Sequence, residues 1–389
     1  RTLLKRVKAL SDADRNALAD VTMNRCALVR VVVNDKDQGF KVFRVLNTRG
    51  KEPGAHDIIK TELFQRSKFT TEEASFYSER WAEHEAALGG SAFDDLLRQI
   101  RSIYDKSSKG ELITGFLKNV IPKITARGFL DDVLPRYVAA YKIITTANLD
   151  TGPHAKLISD KLNQMRALDQ TSWRAPALKF LVEHGVEHES APEFFTKLER
   201  LSYIIMLVLT DRDQRTKRFN KVNENIGNSR TLYGRGSPFN ITKDESRRAF
   251  DRMLGRFATF GQRRSMALRL NAALDGGFTI APQSDATVEH VLPRNISEDS
   301  HWMITWPDPA KRREQCDTLG NFVLLTNKVN QKADRLDYRA KKEVYFNGGG
   351  GQDFALTRDL VDQEAWTSEV VRKRTERLAE ILMMEWSLA

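Results

Sequence analysis

One histidine, one carboxylate and two carboxamides stand at spacings that would let a strand, a loop, a second strand and a helix bring them to one small site. The acid and the histidine are adjacent, Glu289-His290, in Thr287-Val-Glu-His-Val-Leu-Pro293. The carboxamides are Asn321 and Asn330 in Gly320-Asn-Phe-Val-Leu-Leu-Thr-Asn-Lys-Val-Asn-Gln-Lys332. A β-branched run leads into Glu289, and Pro293 ends it because proline has no N–H to give a ladder. Phe322 to Leu325 predicts a second strand, and the stretch holding Asn330 reads as helical. These groups suit phosphodiester hydrolysis with one divalent ion. An imidazole titrating near neutrality can take a proton from attacking water, and carboxylate and carboxamide oxygens are hard donors.

Four elements stand in a fixed order: Glu-His-x-x-Pro, Gly-Asn followed by apolar residues, an asparagine nine residues after the first, and an aromatic-x-x-Lys tail at Tyr338 and Lys341, with Tyr345 one helical turn on. In this order they resemble the HNH (His-Me finger, ββα-metal) endonucleases, and in detail the C-terminal nuclease domain of GmrSD-like type IV, modification-dependent restriction enzymes. The resemblance implies His290 as general base and Glu289 and Asn330 as ligands of Mg²⁺ or Mn²⁺. It implies that Asn321 belongs to the catalytic set by tying down the loop that presents His290. Lys332, Arg335 and Lys341 are the candidate phosphate contacts, unranked. The zinc-bound HNH variety carries Cys-x-x-Cys pairs; none is present, so no structural zinc is expected.

A second resemblance lies near the start. Cys26-Ala-Leu-Val-Arg-Val-Val-Val33, Phe40 to Gly50 and Asp57-Ile-Ile-Lys60 look like the later half of the ParB-like N-terminal domain of the same restriction proteins. Gly50 permits the turn, Asn47 and Arg49 can donate to phosphates or to a loop, and Asp57 can cap a helix. The family's Asp-Gly-Gln-Gln-Arg element is missing from this chain, which starts at Arg1 and reads as a fragment. A nucleotide cofactor is expected only with that segment restored. The remaining histidines carry less. His184 and His188 lie four apart, but Gly185 and the following Ser-Ala-Pro predict a helix end and a surface position. His56, His84, His154 and His301 have no neighbours that point to ligation.

The chain has 389 residues, 41% of them hydrophobic, too many for one typical core and ordinary enough for a globular protein. A net charge of +10 favours a polyanionic partner, here DNA. Basic residues cluster at Arg212, Arg215, Lys217 and Arg218, at Arg247, Arg248, Arg252 and Arg256, and at Arg263, Arg264 and Arg269. Some would track phosphates and the others would be solvated faces. No apolar run reaches membrane length, and Leu201 to Thr210 reads as a buried helix. Two cysteines, Cys26 and Cys316, are too few for a disulfide framework, so a reducing cytoplasm is expected. A homo-oligomer or a partner protein of a defence system fits this class.

The fold expected is mainly α and multidomain: the later part of the ParB-like domain over residues 1–90, a helical middle domain over 91–225, and an HNH-like α+β nuclease domain with closing helices over 226–389. Apolar residues recur at helical spacing in 92–104, 112–121, 134–145, 154–168 and 192–209. Thr70 and Glu73 predict a capping box, Ser190 a helix cap, Gly89-Gly90 a joint, residues 223–242 a linker, and Gly348 to Gly351 a flexible loop. The expected activity is metal-dependent DNA cutting in restriction of foreign or modified phage DNA. The other class is a DNA-binding or partner-regulated module with an idle site.

Overall fold

The computed structural model describes residues 6–27, 54–105, 111–276, 285–347 and 351–388. It forms two compact units, Arg1–Gly54 and Ala55–Ala389. In the first, a helix spans Asp12–Asn24, with the Ser11 hydroxyl accepting from the Asp14 N–H. Asn47, Arg49 and Gly50 lie outside the described residues.

The second unit is mainly α, as expected, with one two-stranded sheet among the described residues. Helices occupy the periodic windows: Gly90–Tyr104, Leu112–Asn119, Leu134–Thr146, Ala155–Arg166 and Ala191–Val208. The Thr70–Glu73 capping box forms in both directions. Ser190 does not cap its helix, because its hydroxyl instead meets His188 Nδ1 at 2.8 Å. Ala191–Val208 is buried along almost its whole length, and no helix among the described residues is long and apolar enough to cross a membrane. Residues 223–242 are packed rather than a free tether. Leu232 and Phe239 are buried in the main core, and the Arg200 guanidinium donates to the Phe239 carbonyl at 3.3 Å.

The elements around the site are helix α1 (Lys243–Leu254), helix α2 (Phe260–Leu274), strand β1 (Ala286–His290), strand β2 (Phe322–Thr326), helix α3 (Asn327–Ala333), helix α4 (Tyr338–Asn347) and helix α5 (Ser368–Glu385). Caps fix the helix starts: Thr242 and Glu245 form a capping box on α1, Thr259 caps α2, and Thr367 caps α5. The strands pair antiparallel, with Val288 opposite Leu324 and His290 opposite Phe322.

Pleating splits the sheet between two cores. Ala286, Val288, Phe322 and Leu324 join the main helical core beside α2. Val323 and Leu325 join a second core with Trp302, Trp306, Val329, Tyr345 and Trp366. Each fully buried Leu or Phe contributes roughly 1.5–3 kcal/mol, so a one-residue slip of either strand would expose several such side chains at once. The outer edge of β2 is covered: Thr357 Oγ1 accepts from Leu324 N at 3.1 Å, and Arg374 donates to the Phe322 carbonyl at 2.9 Å. A bare two-stranded sheet is marginal, so these bonds and the two cores hold it.

The turn before β2 lies hard against α5. Gly320 N donates to Thr375 Oγ1 at 3.0 Å, and its carbonyl accepts from Arg374 at 2.7 Å. A Cβ at residue 320 would overlap the Val371 carbonyl oxygen and Thr375 Oγ1. Gly320→Ala is therefore expected to lower stability by about 3 kcal/mol or more, because one contacting atom is helix backbone that cannot move aside. Urea unfolding followed by circular dichroism measures it, and a variant as stable as the parent would contradict this packing.

Candidate active site

Glu289 and His290 are neighbours in sequence and point to opposite faces of the sheet, because successive strand residues alternate. The two side chains therefore meet different surroundings, so the carboxylate, the imidazole and the two carboxamides are not gathered into the one small site that their spacing suggested: Glu289 and Asn330 share one face and His290 lies on the other.

Glu289 faces α3 and α4. It is buried, and the wholly buried Lys341 ammonium pairs with its Oε1 and donates to the His290 carbonyl at 2.9 Å. The Tyr345 hydroxyl reaches the same Oε1 at 3.4 Å. Burial pushes the Glu289 carboxyl up and the Lys341 ammonium down, and their attraction opposes both shifts. On this face Asn330 Nδ2 donates to Thr287 Oγ1 at 2.9 Å. Asn330 Oδ1 accepts no hydrogen bond among the described residues.

His290 lies on the other face with its ring edge-on to Phe322, centroids 5.3 Å apart. Its Nε2 meets Asp317 Oδ1 at 3.1 Å. Arg294 Nε donates to the same oxygen at 3.0 Å, Arg256 donates to Oδ2 at 3.0 Å, and Arg263 lies 3.7 Å from Oδ1. Burial sets His290 below its ordinary pKa, the Asp317 bond opposing and Arg294 and Arg263 assisting, which favours the neutral imidazole. The Asp317 carboxyl sits far below the usual carboxylate range: burial alone would raise it, and the bonds from His290, Arg294 and Arg256 outweigh that.

Asn321 is fully buried and joins the loops on both sides of the sheet. Its Oδ1 accepts from Leu292 N at 2.7 Å and from Trp366 Nε1 at 3.0 Å, while Nδ2 donates to the carbonyls of Leu292 at 3.0 Å and Cys316 at 2.8 Å. A carboxamide has no further capacity once two donors and two acceptor sites are filled. Its side chain makes no hydrogen bond to His290; it holds the backbone at Leu292, two residues beyond His290, and at Cys316, next to Asp317. Lys332 and Arg335 are exposed at the end of α3 and beyond. Lys341 is not available to a phosphate, because its ammonium is sealed from solvent against Glu289.

Several residues escaped the sequence reading. Asp317 precedes Gly-Asn by three positions and has no periodic signature; a lone acid just before a Gly-Asn turn is a faint signal. Arg374 lies buried on α5 and serves the carbonyls of Gly320, Phe322 and Leu356 and the Asp359 carboxylate. Arg269, expected in a phosphate-tracking cluster, is buried and bonded to Glu199 at 2.6 Å and Glu385 at 3.1 Å. His184 and His188 are half-buried with ring centroids 4.7 Å apart, not on the open surface. His56 is buried against Asp94, at 2.7 Å, and Glu85, at 3.3 Å.

Two groups of potential metal ligands converge among the described residues: His290 with Cys316 and Asp317, and His56 with Asp57 and Glu85. The first is poorly suited to a cation. Its carboxylate already has three guanidiniums within 4 Å. Cys316 is a buried thiol pushed up to about 12 that points at the Leu292 carbonyl, so it offers no thiolate. Glu289 and Asn330 fit Mg²⁺ or Mn²⁺ better, as hard oxygens on one face with Asn330 Oδ1 uncommitted. A cation there would have to share the Glu289 carboxylate with Lys341.

Residues 241–381 match the family described as GmrSD restriction endonucleases, C-terminal domain. Comparison with curated proteins finds no match. The matched segment begins just before α1 and ends within α5, and it contains every site residue described above.

Removing the Lys341 charge would leave Glu289 buried without a counter-ion. Lys341→Met is expected to cost about 3–5 kcal/mol at pH 7, and to recover part of that in the double variant Glu289→Gln/Lys341→Met. A double-mutant cycle of urea midpoints checks both values. Asp317 makes a second, pH-dependent contribution. Its folded pKa lies below the unfolded value, so its stabilisation is complete above about pH 4 and fades as acid protonates it. Asp317→Asn should flatten the acid side of the Tm-against-pH curve.

Proposed function

We propose that this chain, whose residues 241–381 match the C-terminal domain of GmrSD restriction endonucleases, is a GmrSD-like type IV restriction protein, and that this domain is an HNH-type, metal-dependent DNA endonuclease acting on foreign or modified phage DNA. The observation that carries the reading is a partly exposed imidazole at the end of β1, bonded to a carboxylate, in a ββα unit whose following helix offers a carboxamide oxygen with no hydrogen bond among the described residues. His290 is the general base. It takes the proton from water as the water oxygen attacks phosphorus, and a neutral imidazole is ready for that role.

Glu289 and Asn330 are the residues that would hold Mg²⁺ or Mn²⁺. An ion held there would supply positive charge to offset the negative charge developing on the phosphoryl group and the departing 3′ oxygen. Asn321 keeps the loop backbone fixed so that His290 holds its place. Lys332 and Arg335, both exposed beside α3, are the phosphate contacts retained from the sequence, and the net charge of +10 supports DNA as substrate. One observation favours a second reading, a DNA-binding module with an idle site: the Lys341 ammonium already occupies the Glu289 carboxylate.

Conversion of supercoiled plasmid to nicked or linear product, with Mg²⁺, Mn²⁺ or EDTA, separates the two. Cutting is expected only with metal, and to fall about 100-fold or more in His290→Ala. Glu289→Gln and Asn330→Ala should each raise the Mn²⁺ concentration needed for half-maximal cutting. Equal cutting by the parent and His290→Ala would remove His290 as the base. Salt-sensitive DNA binding without cutting, on unmodified and modified DNA alike, would establish the idle-site reading.

A further inference from the structure

Asp317 is bound on all sides, and none of the chemistry assigned above uses it. We propose that Asp317 is a positioning residue for His290, which fixes the imidazole as its Nε2–H tautomer and leaves the Nδ1 lone pair for the attacking water. The proposal rests on the general-base reading of His290.

An ionised carboxylate is acceptor-only, so the 3.1 Å contact to Asp317 Oδ1 requires Nε2 to carry the proton. Nδ1 is then the basic nitrogen, and it makes no hydrogen bond among the described residues. Phe322 packs against the ring at 87°, centroids 5.3 Å apart, and supports this orientation from one side.

Asp317 is itself held from several directions. Its carbonyl accepts from Phe257 N at 2.8 Å, in the turn between α1 and α2. The preceding carbonyl, of Cys316, is bonded by Asn321. Arg256 and Arg294 grip separate carboxylate oxygens at 3.0 Å each. A carboxylate so ringed by guanidiniums stays ionised, rejects a cation and keeps one orientation.

In the step this serves, water gives its proton to Nδ1 while its oxygen bonds to phosphorus and the P–O3′ bond breaks. The imidazolium then lies against Asp317, which stays ionised throughout. The same division of labour between a buried carboxylate and a histidine operates in the serine protease triad.

The alternative role for Asp317 is an ion-pair hub that only holds the arginines. Two readouts separate them, one independent of cutting. In protein labelled with ¹⁵N in the rings of its seven histidines, the His290 signals, identified by their loss in His290→Ala, should report the Nε2–H tautomer at pH 8. Asp317→Asn, of the same size, should abolish that preference. On plasmid DNA, Asp317→Asn should lower kcat about 10- to 100-fold, the usual cost of losing an outer partner of a functional histidine, with KM within about twofold. Asp317→Glu should restore part of kcat, and in a His290→Ala background Asp317→Asn should change the residual rate little.

An Nδ1–H tautomer in the parent, a tautomer unmoved by Asp317→Asn, parental cutting by Asp317→Asn, or an equal loss with and without His290 would each overturn the proposal. Cutting that survives His290→Ala would overturn the general-base reading itself, a result distinct from all of these. If the parent does not cut the DNA offered, the tautomer decides: lost in Asp317→Asn it supports the positioning role, and retained it defeats it.

Discussion

The carboxamide of Asn321 is the interaction on which the rest of the site depends. Four short hydrogen bonds run from one buried side chain to the backbone at Leu292 and Cys316 and to the indole of Trp366. Leu292 follows the strand that ends in His290, and Cys316 precedes Asp317. A single amide thus sets the separation of the two segments that bring the histidine and the aspartate together. Without it, the Cys316 carbonyl, the Leu292 N–H and the Trp366 indole N–H would lose their partner, at roughly 1–3 kcal/mol each, and the Leu292 carbonyl would keep only the weak Cys316 thiol. Gly320 is the complement of that demand, since only a residue without Cβ lets the turn approach α5 closely enough for Arg374 and Thr375 to take its polar groups.

Around this anchor the sheet separates two electrostatic environments that sequence places side by side. One face holds a buried carboxylate balanced by one buried ammonium, and the other holds a carboxylate shared among a histidine and three guanidiniums. The separation follows from the pleat alone, yet it decides the chemistry. The Glu289 carboxylate and the Asn330 carboxamide lie on the side of α3, and the His290 imidazole lies across the sheet beside Asp317. The Glu289–Lys341 pair is sealed from solvent, which makes the pairing strong and the loss of either partner costly, whereas the arginines on Asp317 reach the surface.

Periodic apolar spacing made the helices of residues 90–208 legible, because a helix that buries one stripe must repeat every three to four residues. The two strands were legible from β-branched runs bounded by Pro293 and Gly320. The segment 223–242 misled because glycine and polar residues read as a tether, while two apolar side chains, Leu232 and Phe239, suffice to fasten it into the core. Arg269 misled in the same way. A guanidinium on a helix looks like a surface charge until Glu199 and Glu385, from helices 70 and 116 residues away, are seen to meet it.

The sequence by itself determined which residue types could do chemistry here and in what order they occur: Glu289, His290, Asn321 and Asn330, on strand, strand, turn and helix. Those assignments depend only on local spacing and propensity, which the chain carries without knowing its fold. Tertiary structure alone decided the partners. That Lys341 serves Glu289 rather than a phosphate, and that Asp317 with three arginines surrounds His290, depends on contacts across 23 to 61 residues of chain. No local pattern encodes such meetings, because they arise only when two cores close on the sheet from opposite sides.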